Sequence, residues 1–322
     1  MPGGLLPQPA RPGARRDGRG LPRPGRGPRV NEELREVAVA VALAAGELVS
    51  AGRPDRVEVA STKSSPTDVV TAMDTASEQL LRTELARVRP EDGFLGEEGG
   101  HRPGRSGLTW VVDPIDGTVN YLYGLRAYAV SVAVVRAADP AARPDPATWT
   151  VLAGAVVDPS QGETWSAALG GGARLTDARG TRALTAPTGP ELGQALVATG
   201  FGYDARRRAE QAAVVARLLP RVRDLRRVGA ASLDLCSVAA GRVDAYYERG
   251  LKPWDLAAGA LVAAEAGAVV TDFTGAAAGG HGLVAASRDL HPHLLRALAD
   301  AGAGDPGVGD PGVDDPGTDD GA

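Results

Sequence analysis

Residues Trp110-Val111-Val112-Asp113-Pro114-Ile115-Asp116-Gly117-Thr118-Val119-Asn120 leave the chain few ways to fold. Trp110 to Val112 read as a buried strand that runs straight into two carboxylates. Pro114 withholds a backbone donor and Gly117 permits a positive φ, so the chain reverses there with Asp113 and Asp116 pointing into one cleft. Thr118 follows where a short helix can start, which places its amide and that of Gly117 to hold a phosphate oxygen at a helix N-terminus. Two carboxylates, a proline, a glycine and a threonine at a strand end lack a good structural purpose. They suit a metal-bridged phosphate.

Two other places share this acidic character. Gly96-Glu97-Glu98-Gly99-Gly100 sets adjacent carboxylates in a glycine-rich loop after the apolar Phe94-Leu95, which calls for a neutralising positive charge. Trp254-Asp255-Leu256-Ala257-Ala258-Gly259 puts a carboxylate at the cap of a helix of small residues. Asp255, like Asp74, can also be a plain helix-terminus residue, worth about 1 kcal/mol, and Glu97 and Glu98 can be a solvated loop. Hard oxygen donors without clustered His or Cys indicate Mg²⁺ rather than zinc.

The rest of the chain must bring these places together. Asn31 can cap a first helix running to about Ser50, and Thr71 with Asp74 forms a capping-box pattern for a second. Strands are expected at Thr109 to Val112, Tyr128 to Arg136, Val151 to Val157 and Glu163 to Ala168, with a turn at Gly170-Gly171-Gly172. Helical patterns at Glu210 to Leu219, Ser232 to Ala240 and Leu256 to Ala266 interleave with strands at Ala245 to Glu248 and Ala268 to Thr271. The alternation makes this an α/β or α+β chain.

Its 322 residues fit one catalytic domain over residues 30–302, flanked by a Pro/Gly/Arg-rich tail (1–29) and an acidic tail (303–322), both expected to be disordered. A net charge of −5 argues against a nucleic-acid binder. The single cysteine, Cys236, excludes an internal disulfide and sits in an apolar run as a structural thiol. No segment reads as a secretory leader or membrane span, so cytoplasmic residence is expected.

The sequence closely resembles the inositol monophosphatases, within the lithium-sensitive, magnesium-dependent sugar phosphatase group. The likeness spans roughly residues 31 to 300. It rests on the Trp110 to Asn120 run, on Trp254-Asp255-x-Ala257-Ala258-Gly259 with Glu265-Ala266-Gly267, on Gly96-Glu97-Glu98, and on Lys63-Ser64-Ser65-Pro66-x-Asp68-x-Val70-Thr71-x-x-Asp74, in that family's order. The resemblance implies a layered αβαβα sandwich, commonly as a homodimer, and two or three Mg²⁺ ions held by Glu97, Asp113, Asp116, Asp255 and the carbonyl of Ile115. It implies that Asp74 and Thr118 orient and activate the attacking water, with Glu97 beside them, and that the Gly117 and Thr118 amides bind phosphate. Substrate hydroxyls would be met at Gly229, Ala230, Ala231 and Glu248, with Arg226 near the phosphate or a dimer contact. Four positions depart from the family pattern: Ala230 stands for Ser or Thr, Ala268 for Gly, Tyr121 for Phe and Tyr123 for His.

The expected reaction is Mg²⁺-assisted hydrolysis of a small phosphorylated polyol or sugar by water, inositol monophosphate first, without a covalent intermediate. Lys63 is placed either to close over the metals, to pair with Asp68, or to sit solvated in its loop. Fructose-1,6-bisphosphate, histidinol phosphate and 3′-phosphoadenosine nucleotides are the rival substrates. A haloacid-dehalogenase phosphatase would need Asp-x-Asp-Gly-Thr, one residue shorter than the spacing here. A regulatory binding protein on the same fold is the reading from a different class.

Overall fold

The computed structural model describes residues 27–54, 56–139, 142–279 and 282–304; most of both expected tails lies outside the described residues. The chain opens with α1 (Gly27–Ala51), a hairpin of β1 (Val59–Thr62) and β2 (Val69–Thr71), and α2 (Ala72–Val88). Then come β3 (Gly93–Gly96), β4 (Gly100–Arg102), β5 (Leu108–Asp116), α3 (Thr118–Tyr123), β6 (Ala129–Arg136), β7 (Thr150–Asp158), β8 (Glu163–Ala168), β9 (Gly172–Asp177) and β10 (Gly180–Leu184). The second half runs β11 (Leu196–Thr199), α4 (Ala205–Leu218), β12 (Asp224–Arg226), α5 (Ala231–Ala239), β13 (Ala245–Glu248), α6 (Pro253–Glu265), β14 (Val269–Thr271), β15 (Leu283–Ala286) and α7 (His291–Asp300).

Eight strands form one sheet in the order β10-β9-β8-β7-β6-β5-β3-β4, with β3 and β5 parallel and every other pair antiparallel. Five form a second in the order β12-β11-β13-β15-β14, with β11 parallel to both its neighbours. Helices cover both faces of each. On the outside of the large sheet, Leu34, Ala38, Val41 and Ala45 of α1 and Leu81 and Leu85 of α2 pack on Trp110, Val112, Val132 and Ala155. Leu233 and Cys236 of α5 and Ala257, Ala258 and Leu261 of α6 pack on its other face against Val111, Ala133 and Trp165. Those two helices also cover the inner face of the small sheet, where Leu235 and Leu256 meet Ala198, Tyr246 and Ala285. Val214 and Leu218 of α4 and Leu294 and Leu298 of α7 seal its outer face against Val197, Ala245 and Val284. The layers are therefore αβαβα. Burial of β6 on both faces, with only Arg136 exposed, follows from this stacking.

Small residues let the layers approach. A Cβ on Gly154 of β7 would come within 3.0 Å of Ala258 Cα, and one on Gly259 within 2.9 Å of Leu235 Cβ. Trp110 is tied down differently: its indole Nε1 donates to Asp92 Oδ2 at 2.9 Å, the oxygen that Arg89 Nε also reaches at 2.8 Å. Trp110→Phe should cost about 2 kcal/mol, because it removes a donor from a buried carboxylate and leaves a void. A urea midpoint equal to that of the parent would refute this.

Several boundaries differ from the sequence expectation. Helix α1 begins at Gly27, so Asn31 is no cap; it lies inside the helix and its Nδ2 donates to Leu169 O at 3.0 Å. The second helix starts as expected, with Thr71 as its N-cap in a capping box with Asp74. Asp255 is the third residue of α6 rather than its cap, because Pro253 opens that helix after Lys252. Strand β5 continues through Pro114 to Asp116, its register with β6 shifting between Asp113 and Asp116. Strands β3, β4, β9, β10, β11, β12 and β15, the β1–β2 hairpin and α7 had no counterpart in the sequence reading. Among the described residues, no helix is long and apolar enough to cross a membrane.

Candidate active site

The end of β5 is fastened from several sides. Ser77 of α2 donates to Pro114 O at 3.1 Å, and Ile115 N donates to Asp113 Oδ1 at 3.0 Å, which holds the 2%-exposed Asp113 carboxylate against its own strand. Gly117 has φ 91°, a conformation that other residues pay to adopt, and it precedes α3 directly. Asn120 on that helix donates to Ala127 O at 2.7 Å and Val228 O at 2.9 Å, locking the turn to the segment before α5.

Asp116 reaches the other half of the molecule. Its carboxylate accepts from Ala231 N at 3.2 Å, Ser232 N at 2.7 Å and Ser232 Oγ at 2.5 Å. Ala230, the N-cap of α5, has no side-chain oxygen to offer, so Asp116 caps that helix from across the cleft. Asp74, 1% exposed, accepts at Oδ2 from Thr71 N at 2.8 Å and Thr71 Oγ1 at 2.5 Å. Thr118 Oγ1 lies 3.0 Å from both Asp74 Oδ1 and Ile115 O and can donate its one proton to either.

On the facing loop, Lys63 Nζ donates to Glu97 Oε1 at 2.6 Å and Glu98 Oε1 at 2.7 Å, while Glu78 Oε2 accepts from Glu98 N at 2.7 Å. Of the three placements open to Lys63, its ammonium thus takes the acidic cluster; Asp68 meets Lys63 only through the backbone and turns its carboxylate to Ser64.

The carboxylates sense one another. Burial, then Glu97, Asp116 and Asp255, push the Asp113 carboxyl well above its ordinary range. Burial, then Asp116 and Glu97, do the same to Asp255. Glu97 is raised to about 7 by burial, with Lys63 opposing. Glu97 just after β3, Asp113 and Asp116 at the end of β5 and Asp255 on α6 therefore converge on a space where uncompensated negative charge is costly.

A divalent cation would relieve it. Among the described residues no group of three or more His, Cys, Asp or Glu side chains already stands in a metal-binding arrangement. The fit rests on donor chemistry instead: Glu97, Asp113 and Asp255 are hard oxygen donors raised by neighbouring carboxylates, and Lys63, which hydrogen-bonds Glu97 and Glu98, offsets only part of the rise at Asp113. Such a set suits Mg²⁺.

The residues that the resemblance assigns to substrate lie in three places. Gly229 (φ 93°), Ala230 and Ala231 lie at the N-terminus of α5 beside Gly117, and Glu248 ends β13 with Tyr246 OH donating to it at 2.6 Å. Arg226 is not brought to the cluster, since its guanidinium pairs with Asp224 at 2.6 Å on the surface. Its neighbour Arg227 acts electrostatically on Asp116, Asp234 and Glu248.

Sequence reading also passed over Ser232, Tyr203 and Asp234. A hydroxyl at the start of a small-residue helix was the available signal for Ser232. Tyr203 is raised by burial and by Asp68, Glu97, Asp255 and Asp116, which places it beside the cluster, but nothing in its Gly202-Tyr203-Asp204 context marks it. Asp234 is buried with Oδ1 unpartnered and is raised to about 8 by burial, then by Glu248 and Asp116; Glu248 is raised to about 7, chiefly by burial. Both acids hold protons in the folded chain that the unfolded chain releases. Stability therefore falls as pH climbs from the ordinary carboxylate range toward about 8. Asp234→Asn should flatten that fall in melting curves recorded in chelator across pH; an unaltered slope would contradict the assignment.

The profile of the Inositol monophosphatase family matches residues 30–303. The chain belongs to that family. The inositol-1-monophosphatase SuhB of Mycobacterium tuberculosis H37Rv is 51% identical over 243 residues, covering 73% of this chain and 80% of that protein. The solved structure of Mycobacterium tuberculosis SuhB superposes with a TM-score of 0.71 at 44% identity, over 87% of this chain and all of the other. The Nus factor SuhB of Escherichia coli K12 is 39% identical over 243 residues, covering 74% of this chain and 85% of that protein. As a family member, the protein is a phosphoric monoester hydrolase.

Proposed function

We propose that this protein hydrolyses inositol monophosphate to inositol and phosphate with Mg²⁺ as cofactor. The observation that carries the reading is the convergence of Glu97, Asp113, Asp116 and Asp255, all pressed toward protonation by burial and, at Glu97, Asp113 and Asp255, also by neighbouring carboxylates. These side chains, with the Ile115 carbonyl, would hold two or three ions. Bound Mg²⁺ supplies Lewis acidity toward phosphoryl and water oxygens.

The chain does the rest. Thr71 fixes Asp74, and Asp74 Oδ1 takes the Thr118 hydroxyl proton in a hydrogen bond, which turns the Thr118 oxygen lone pairs toward an attacking water. Asp74 is raised by burial, so it is suited to draw the proton that this water loses through Thr118. The Gly117 and Thr118 amides face the phosphate at the start of α3, and Glu248 accepts from a polyol hydroxyl. Ser232, Ala231 and Asp116 keep α5 in register with β5, so sugar and phosphate subsites stay at a fixed separation. Cytoplasmic residence and a homodimer belong to the same reading.

Phosphate release from inositol monophosphate, fructose-1,6-bisphosphate, histidinol phosphate and a 3′-phosphoadenosine nucleotide, with Mg²⁺ or with chelator, tests it. Inositol monophosphate should be the best substrate and chelator should stop turnover; a faster rival, or turnover indifferent to chelator, would replace this reading. The Nus factor name of the Escherichia coli relative favours a second reading, a regulatory binding protein on this fold. Absence of turnover on every ester with Mg²⁺ present would select it.

A further inference from the structure

One face of α2 carries Asp74, Ser77 and Glu78 at helical spacing, buried together with Leu81 and Leu85. Asp74 lies 3.0 Å from the Thr118 hydroxyl and Ser77 donates to Pro114 O at 3.1 Å, so both act on the end of β5. Glu78 reaches instead to the hairpin between β3 and β4. Its side chain is nearly inaccessible, a costly place for a charge without partners. Oε2 accepts from Glu98 N at 2.7 Å, and Oε1 accepts from Arg82 Nη2 at 3.1 Å. Arg82 lies in turn over the Phe94 ring of β3, its guanidinium carbon 4.2 Å from the ring centre.

The hairpin is shaped around this carboxylate. Gly96 and Gly100 pair across it, which leaves Glu97, Glu98 and Gly99 to make the turn. A Cβ on Gly96 would run into Glu78 Oε2, and one on Gly99 into Glu78 Oε1 and Arg82 Nη2. Neither glycine has a positive φ, so it is the space beside Glu78, not the backbone conformation, that calls for them. The Glu98 amide belongs to the planar peptide that leaves Glu97, so holding its direction holds ψ of Glu97 and the start of that side chain. Lys63 cannot set this direction, because its ammonium bridges Glu97 and Glu98 from the end of a long, flexible stem.

We propose that Glu78 is a positioning residue for the metal site: it holds the Glu97–Glu98 peptide and thereby sets how tightly Glu97 binds Mg²⁺. The inference rests on the reading of Glu97 as a ligand given above. Glu78 is itself held by a helix, by Arg82 and by two glycines that leave it no other place, so the hairpin takes its register from α2. The face that fixes Thr118 and the end of β5 thus fixes the Glu97 turn as well.

Melting curves of the full-length protein over a series of Mg²⁺ concentrations test it, since they give the half-saturating concentration without turnover. Glu78→Met keeps the length of the side chain but not its acceptors, and should raise that concentration about tenfold or more. Glu78→Gln, whose amide oxygen still accepts from Glu98 N, should stay within about threefold of the parent. Both variants remove the charge and the Arg82 pair, so their difference reports the hydrogen bond to the hairpin. Gly99→Ala crowds the same carboxylate from the exposed side of the turn and should weaken Mg²⁺ in the same direction, which replaces Glu78→Met should that variant not fold. The inference is overturned if Glu78→Met, or Gly99→Ala in its stead, half-saturates as the parent does, or if Glu78→Gln is as weak as Glu78→Met. A parent whose melting temperature ignores Mg²⁺ would instead overturn the reading of the carboxylate cluster as a metal site, and the inference with it.

Discussion

Asp113→Asn is expected to lower Mg²⁺-dependent phosphate release by about a thousandfold or more while raising the melting temperature of the metal-free protein. The two effects share a cause. In the metal-free chain the Asp113 carboxylate is buried and repelled by Glu97, Asp116 and Asp255. An amide of the same shape removes that repulsion, and its Oδ1 still accepts from Ile115 N. What relaxes the empty chain also removes a charge that the cation needs, so the stabilisation gained on adding Mg²⁺ should shrink in the variant. Phosphate release and paired melting curves with Mg²⁺ or chelator measure both. Near-parental turnover would end the assignment of Asp113 as a ligand, and an unchanged metal-free melting temperature would end the claim of electrostatic strain.

Gly259→Val should be the most damaging change to the fold. The added Cβ would meet Leu235 Cβ at 2.9 Å, Leu235 Cδ1 at 3.0 Å and the Ser232 carbonyl at 3.1 Å, so α6 must move away from α5. Overpacking of this kind costs about 3 kcal/mol, to which a β-branched residue in a helix adds little. Activity should fall further than stability alone explains, because α6 carries Asp255 and α5 carries the Ser232 that holds Asp116. Gly193→Ala is the control, since a Cβ there meets nothing within 4 Å and the backbone is unstrained. Urea denaturation followed with phosphate release compares the two; equal midpoints would show that the helix contact tolerates the methyl groups.

The acidic turn was legible because its residues conflict with ordinary strand chemistry: proline, glycine and paired carboxylates at one strand end require a purpose. The capping box at Thr71 was legible for a local reason too, since donor and acceptor sit three residues apart. Strands with little apolar content were not. Four of the five residues of β10 are exposed, and β3 is two apolar residues between glycines, so neither carries a period-two signal. Pairing with neighbours distant in sequence makes them strands. The start of α1 hid in a Pro/Gly/Arg-rich composition, where local preference says little about a helix held by the packing of its later turns.

At the site, whatever depended on one residue's register was the first thing lost. Arg226 is the last residue of β12 and Arg227 follows the strand, and spacing alone does not tell which of the two guanidiniums acts on Asp116. Ser232 carries no capping signal of its own in the sequence, since it sits inside the first turn of α5 rather than at its N-cap, Ala230. The hydroxyl stands two positions later and reaches Asp116 nonetheless.

The helices α5 and α6 lie between the two sheets and line both inner cores. Neither half of the molecule therefore owns a private interior. Cutting the chain between β10 and β11 would strip one sheet of its lining and leave the other fragment with an oily helix pair turned outward. Catalysis inherits this indivisibility, for the carboxylates of the cluster belong to both fragments and can face one another only while the shared middle holds.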